Sequence, residues 1–167
     1  MSEGWVALAE YVAETLDVGP GTRVFEVDCG NGAFLLPFHA NGYIVGGLGG
    51  DPDAIAQAIA AMPDGIFQVG SATALDPAVP WDVVICRSFG APRDLSTVAL
   101  AEVDYMRGLL ARMFAKATHA IALLDVPDDR RTWMLHALTE IGAAAVQIEE
   151  PKFSALPSGS FNVFARV

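Results

Sequence analysis

Apolar and polar positions along this chain follow two periods in alternation, and the switches between them mark out the elements. Over 3–16, Val6, Leu8, Ala9, Val12, Ala13 and Leu16 recur near helical spacing, with Ser2 placed to cap the start and Gly19-Pro20-Gly21 to stop the run. The segment 23–27 is short, β-branched and aromatic, and it runs into Asp28-Cys29-Gly30-Asn31-Gly32, a strand entering a tight turn. A helix is expected over 33–40, where Pro37 is tolerable near the first turn and Asn41-Gly42 closes it. The alternation then repeats: strand over 43–48, helix over 52–61 with Asp51 as N-cap and Pro52 at its first position, strand over 66–69. Residues 70–80, with Pro77 and Pro80 among them, leave room for at most a turn or two of helix before the next strand, 81–86. A polar and then helical stretch over 87–117 leads to an apolar strand over 119–125 and a last long helix over 129–141. Segments 144–149 and 160–167, separated by a Pro/Gly/Ser-containing loop, read as a closing antiparallel pair.

Five strands alternating with helices and then a hairpin make an α/β three-layer sandwich with a mostly parallel sheet. The expected organisation is one domain over 1–167, with 1–18 as an N-terminal cap helix. A domain of that length buries roughly 70% of the surface its unfolded chain exposes and needs no disulfide or metal to fold. Hydrophobic residues make up 53% of the chain and charged residues 18%, which predicts a filled interior under a rather apolar skin and leaves a homodimer open.

A net charge of −10, with no basic cluster beyond Arg130-Arg131, repels a nucleic-acid backbone, so no nucleic acid is expected as partner. Cys29 and Cys86 stand alone, without the grouping of a zinc site or a disulfide framework, which fits a reducing cytoplasm and no metal. The acidic start, with Glu3, Glu10 and Glu14, is not a secretory signal, and no apolar run reaches the length of about 18 residues that a membrane span needs.

In an open parallel sheet, ligands bind beyond the carboxyl ends of the strands, and the first such end here is 26–32. Gly30 and Gly32 remove side chains where a ligand would lie against the backbone, although any tight turn from strand to helix favours glycine. The order of segments says more. Val24-Phe25-Glu26-Val27-Asp28-Cys29-Gly30-Asn31-Gly32, then 42–55, 67–75 and Asp82-Val83-Val84-Ile85-Cys86-Arg87, closely resemble four successive motifs of the class I S-adenosylmethionine-dependent methyltransferases, in order and spacing. The resemblance covers nearly the whole chain. It implies a seven-stranded Rossmann-like sheet with the last strand antiparallel, in agreement with the hairpin ending, and S-adenosylmethionine as cofactor. It also implies that Glu26 lies near the methionine ammonium, that Gly30 and Gly32 admit the cofactor, that Ser71 and Ala72 border adenine, and that Arg87 and Ser88 line the mouth from which methyl is donated. Cys29, within the turn, is placed to touch the cofactor.

Three positions depart from the family pattern. Asp28 stands where the turn starts with glycine, and aspartate tolerates positive φ better than most residues. Gly49 holds the place of the acid that grips the ribose; Asp51, two residues on, either substitutes for it or only caps its helix. Ser71 replaces an aspartate with a shorter hydrogen-bonding group.

Electrostatics separates two cofactors that use this kind of turn. A nicotinamide dinucleotide brings a doubly negative pyrophosphate, whereas S-adenosylmethionine brings a sulfonium and an ammonium, and Glu26 and Asp28 favour the second. Unit charges about 5 Å apart at an effective dielectric near ~20 interact by roughly 3 kcal/mol, in opposite directions for the two ligands. Leu35 also occupies the place of the third glycine of the dinucleotide fingerprint.

Methyl transfer is an in-line displacement, so alignment and water exclusion matter most and a general base is optional. His39, His119, His136 and Asp125 are the candidate bases; each histidine also suits a structural role, and Asp125 either faces the ligand or caps the following helix. Cys86 reads as buried and inert. Trp5 and Tyr11 serve as a lid or as core, and Phe89, in the loop 88–94, is the first choice for a substrate contact beside Ser88. The leading reading is methylation of a small organic acceptor at oxygen or nitrogen. A methyltransferase-like binding or regulatory subunit without transfer activity, and a nicotinamide-dinucleotide-binding protein, are the alternatives.

Overall fold

A computed structural model of the protein describes residues 2–87, 100–150 and 159–167. Helix α1 (Glu3–Leu16) is capped as its sequence predicts: the Trp5 amide donates to Ser2 Oγ at 3.4 Å, and the chain leaves at Asp17 in the left-handed region, φ 51°. The elements that follow are β1 (Arg23–Val27), α2 (Leu36–Ala40), β2 (Ile44–Gly49), α3 (Pro52–Ala61), β3 (Ile66–Val69), β4 (Trp81–Arg87), α4 (Leu100–Lys116), β5 (Ala117–Pro127), α5 (Arg131–Glu140), β6 (Ala145–Glu149) and β7 (Ser160–Arg166). A single 3-10 turn, Ala72–Ala74, replaces a crossover helix between β3 and β4, as the short connection requires.

The strands form one seven-stranded sheet in the order β3-β2-β1-β4-β5-β7-β6. Neighbours from β3 to β5 pair in parallel, and β7 runs antiparallel between β5 and β6. Its two faces bury separate cores, which is why the inner strands are apolar throughout rather than alternating. Val83 and Ile85 join Val12, Leu16, Phe34, Phe38 and Met62 under α1–α3, while Val84 and Cys86 join Leu110, Met113, Met134 and Leu138 under α4 and α5. Gly46 and Gly47 leave the middle of β2 bare for a reason of packing. A methyl at Gly46 would lie 2.5 Å from Trp81 Cη2, and one at Gly47 would lie 2.6 Å from Cys29 Sγ.

Several boundaries differ from expectation, each for a local reason. The helix expected over 33–40 begins only at Leu36, because the chain first completes the glycine turn, where the Leu35 amide bonds the Gly32 carbonyl at 2.9 Å. The second strand starts and ends one residue later, since the Tyr43 amide is taken by the Phe38 carbonyl and the Gly49 carbonyl accepts from Gly70. Strand β5 extends to Pro127 because β7 pairs along its far end, Val126 with Phe161 and Pro127 with Ser160. A 3-10 turn, Asp128–Arg130, takes the start of the last helix.

Because β2 lies on one side of β1 and β4 on the other, the crossovers diverge at the carboxyl ends of β1 and β4. That divergence opens the crevice where this architecture binds ligands.

Candidate functional site

Beyond Val27 the backbone turns sharply, with Asp28 at φ 61°, Gly30 at 53° and Gly32 at 73°. The Cys29 amide anchors the turn to the Leu48 carbonyl at 3.0 Å, and the Gly32 amide closes it on the Cys29 carbonyl at 2.9 Å. Aspartate thus takes a left-handed position otherwise suited to glycine, as the sequence allows. The two glycines differ in surroundings. A methyl at Gly30 meets nothing within 4 Å among the described residues, whereas one at Gly32 would come within 2.7 Å of Met62 Cε and 3.1 Å of Ala58 Cβ. Both were expected to admit a ligand; among the described residues the Cβ direction is clear at Gly30, whereas at Gly32 it points into Ala58 and Met62.

Glu26, on β1, is fully buried. Its Oε1 accepts from Arg87 Nε at 2.5 Å, and its Oε2 is buried with no hydrogen-bond partner among the described residues. Burial pushes the carboxyl up to about 7, against the opposing pull of the Arg87 guanidinium, while Asp28 adds to the rise. The pair follows from register. Glu26 lies opposite Ile85 on the neighbouring parallel strand, so Arg87, two residues further, projects on the same face just past it. Above Arg87 lie two aromatic rings, Trp5 at 4.7 Å from α1 and Phe34 at 5.2 Å, themselves edge to face at 5.8 Å.

Asp125 completes the polar group from the end of β5. Leu123 pairs with Val163 and Val126 with Phe161, so Leu124 and Asp125 together face Asn162 in a β-bulge. Asp125 takes φ 62° there, and its amide donates to the side chain of buried Asn162 at 3.2 Å. Burial raises its carboxyl, and Arg87 opposes the rise. The bulge leaves Asp125 at the end of β5, the strand next to β4, close enough to Arg87 to feel its charge.

The remaining candidates divide. Cys29 and Cys86 are buried, and burial with the nearby Glu26 charge pushes both thiols up to about 12, which leaves them protonated and unreactive. A methyl at Gly49 would stand 3.5 Å from the Gly30 amide nitrogen, so position 49 does face the turn, but without a carboxylate. Asp51 Oδ1 accepts from the Asp53 amide at 3.0 Å, which is helix capping. Ser71 is exposed, with its hydroxyl on Thr73 Oγ1 at 2.6 Å, and Ala72 packs on the α4 side. Of the two aromatic residues read as a lid, Trp5 covers Arg87; Tyr11 is interior, hydrogen-bonded to Glu149 and edge to face with Phe164.

The three histidines lie elsewhere: His39 pairs with Asp64 at 2.7 Å, His119 bonds the Leu16 carbonyl and Arg166, and His136 pairs with Glu140 on the surface of α5. Ser88 and Phe89 lie outside the described residues. Among the described residues no group of three His, Cys, Asp or Glu is placed to hold a metal ion, and no helix is long and apolar enough to cross a membrane. The sequence reading missed the Glu26–Arg87 contact and Asn162; the one available signal was opposite charge at the ends of two strands that turn out to be neighbours.

Strand order and the lone antiparallel β7 define the fold of the class I S-adenosylmethionine-dependent methyltransferases. Among solved structures, the chain is similar to an amino pentose methyltransferase from Micromonospora echinaspora, solved with S-adenosylmethionine bound and involved in calicheamicin biosynthesis: TM-score 0.75, 17% identity, 97% of this chain and 91% of that one. DesVI of Streptomyces venezuelae gives 0.74 at 12% identity, over 98% and 92%. The magnesium protoporphyrin IX methyltransferase of Synechocystis, also solved with S-adenosylmethionine, gives 0.71 at 16%, over 98% and 79%. No protein-family model and no curated protein matches the sequence. Two features of the site fit such a cofactor: among the described residues, a buried carboxylate oxygen has no donor and nothing crowds the Cβ direction of Gly30.

Proposed function

We propose that this protein is an S-adenosylmethionine-dependent methyltransferase acting on a small organic acceptor at oxygen or nitrogen. The observation that carries the reading is the Oε2 of buried Glu26, without a hydrogen-bond partner among the described residues, near the turn at Gly30 at the crevice of this fold. When bound, the cofactor supplies an electrophilic methyl group on sulfur. Glu26 and Asp28 attract its cationic end, and Gly30 leaves room for it. Ser71 and Ala72 stand at the adenine end. Trp5 and Phe34 screen the crevice from water, and Asp125 orients the acceptor or takes its proton. The fold neighbours solved with S-adenosylmethionine support the same assignment.

A net charge of −10 argues for a small acceptor over nucleic acid. Exposed Ile59, Ile66 and Val69 near the β3 edge support a homodimer, and the free thiols of Cys29 and Cys86 support a reducing cytoplasm.

A second reading, binding without transfer, draws on Gly49 and on an Asp51 side chain spent on its helix cap. Calorimetry with S-adenosylmethionine and S-adenosylhomocysteine tests the first reading, which requires heat with both. No heat with either refutes it. Binding without release of S-adenosylhomocysteine across a panel of amines, phenols and carboxylic acids favours the second.

A further inference from the structure

The crevice already contains a cation. Arg87 satisfies one oxygen of Glu26 at 2.5 Å, and its guanidinium is held under the Trp5 and Phe34 rings, so the carboxylate that would attract a ligand is sealed beneath the protein's own charge. The other oxygen is buried and faces no donor among the described residues. Glu26 is fully buried, so a ligand that pairs with it displaces part of what covers it, and Arg87 on Oε1 is part of that cover; a buried carboxylate stripped of its cation is strongly unfavourable unless another cation replaces it.

We infer that Arg87 holds the place of the ligand's ammonium group, so that binding exchanges one cation for another on Glu26 and Arg87 restricts the site to adenosyl ligands that carry an ammonium. This rests on the proposed cofactor reading and deepens it. A ligand with the adenosyl thioether and no amino-acid portion has nothing to offer Glu26. It leaves Arg87 in place and docks only on the outer part of the crevice. A ligand with the ammonium displaces the guanidinium, which unstacks from Trp5 and turns to the solvent that already reaches 24% of its side chain. Apparent affinity is then lowered by the fraction of molecules in which Arg87 is closed.

The test uses the full chain at pH 8, with S-adenosylhomocysteine and 5′-methylthioadenosine as probes, in calorimetry and Trp5 fluorescence against a Trp5→Phe control. In the wild type, S-adenosylhomocysteine shifts the Trp5 emission and methylthioadenosine does not. In Arg87→Met, S-adenosylhomocysteine binds on the order of 10-fold tighter, as expected for a site closed about nine-tenths of the time, while methylthioadenosine changes by less than about twofold. Arg87→Lys retains a charge but loses the planar stack, and its gain is smaller and of the same sign; it serves alone if the Met variant does not fold. Equal or weaker binding of S-adenosylhomocysteine by the variants, with the wild type binding it, overturns the exchange and leaves the cofactor reading intact. Absence of binding by wild type and variants alike overturns both.

Discussion

Glu26→Gln should change how stability depends on pH, and by an amount the structure sets. The Glu26 carboxyl is fully buried, and burial lifts it from an ordinary 4.5 to about 7 even with Arg87 beside it. A carboxyl raised in the folded state contributes stability that is complete below about pH 4.5 and is lost as pH rises through about 7. At about 1.4 kcal/mol for each tenfold change in proton affinity, the whole effect is about 3 kcal/mol. Between pH 5 and 8 some 2–3 kcal/mol of it is expressed, by the same linkage relation, roughly. The glutamine variant keeps the side chain's shape and an oxygen for Arg87 but does not titrate. Urea denaturation at intervals from pH 5 to 8, followed by circular dichroism and extrapolated to water, gives the difference between the two proteins. Wild type should lose stability relative to Glu26→Gln as pH rises, with the difference levelling off above about pH 8. Asp64 and the other titrating groups remote from Glu26 are common to both proteins and cancel in the subtraction, and Cys29 and Cys86, which feel the Glu26 charge, stay protonated over this range. Two curves that run parallel over this range would refute the claim that Glu26 is buried against its charge.

Two other substitutions probe the walls of the crevice. Gly32→Ala puts a methyl 2.7 Å from Met62 Cε at φ 73°, and should cost about 2–4 kcal/mol in urea denaturation. Gly30→Ala, with nothing within 4 Å among the described residues, should cost only about 1 kcal/mol and instead weaken S-adenosylhomocysteine binding; equal costs at the two positions would contradict the difference in their surroundings. Trp5→Ala removes the rings' edge-to-face contact and the cover on Arg87, and should destabilise by about 2 kcal/mol. It should also flatten the pH dependence above, because water would then reach Glu26; a pH profile unchanged from wild type would show that Trp5 does not seal the site.

The order of elements was legible because each unit carries its own punctuation: Ser2 at the first helix, Gly19-Pro20-Gly21 after it, Asp51-Pro52 at the third. Glu26 and Gly30 were legible for a related reason, since a strand that ends in a glycine turn identifies itself locally. What remained hidden depends on neighbours distant in the chain. Arg87 meets Glu26 only because β1 and β4 are adjacent in a register that sets Glu26 against Ile85. Asp125 lies in a bulge only because β7 returns beside β5 with one residue fewer, and no pattern within 117–127 announces that. Trp5 and Tyr11 looked alike as aromatic residues of one helix, yet at about 100° per residue their positions lie roughly 120° apart around it, so one reaches the mouth and the other the sheet.

The two ends of the crevice are unequal, and the inequality bears on what holds a ligand there. At the end proposed for adenosine, position 49 has no side chain, Asp51 is engaged by the Asp53 amide and the Ser71 hydroxyl by Thr73. At the other end, Glu26, Asp28 and Asp125 share one arginine, Arg87, so that with all three carboxyls ionised the group is short of positive charge by two. S-adenosylmethionine carries a sulfonium, an ammonium and one carboxylate, so it moves that balance toward neutrality where a dinucleotide pyrophosphate would worsen it. On the proposed reading, recognition therefore falls mostly on the amino-acid portion of the cofactor, and adenosine alone should compete poorly. That is also the condition under which a resident guanidinium matters: where the nucleoside contributes little, the contest between Arg87 and the incoming ammonium for Glu26 decides how much of the protein is loaded.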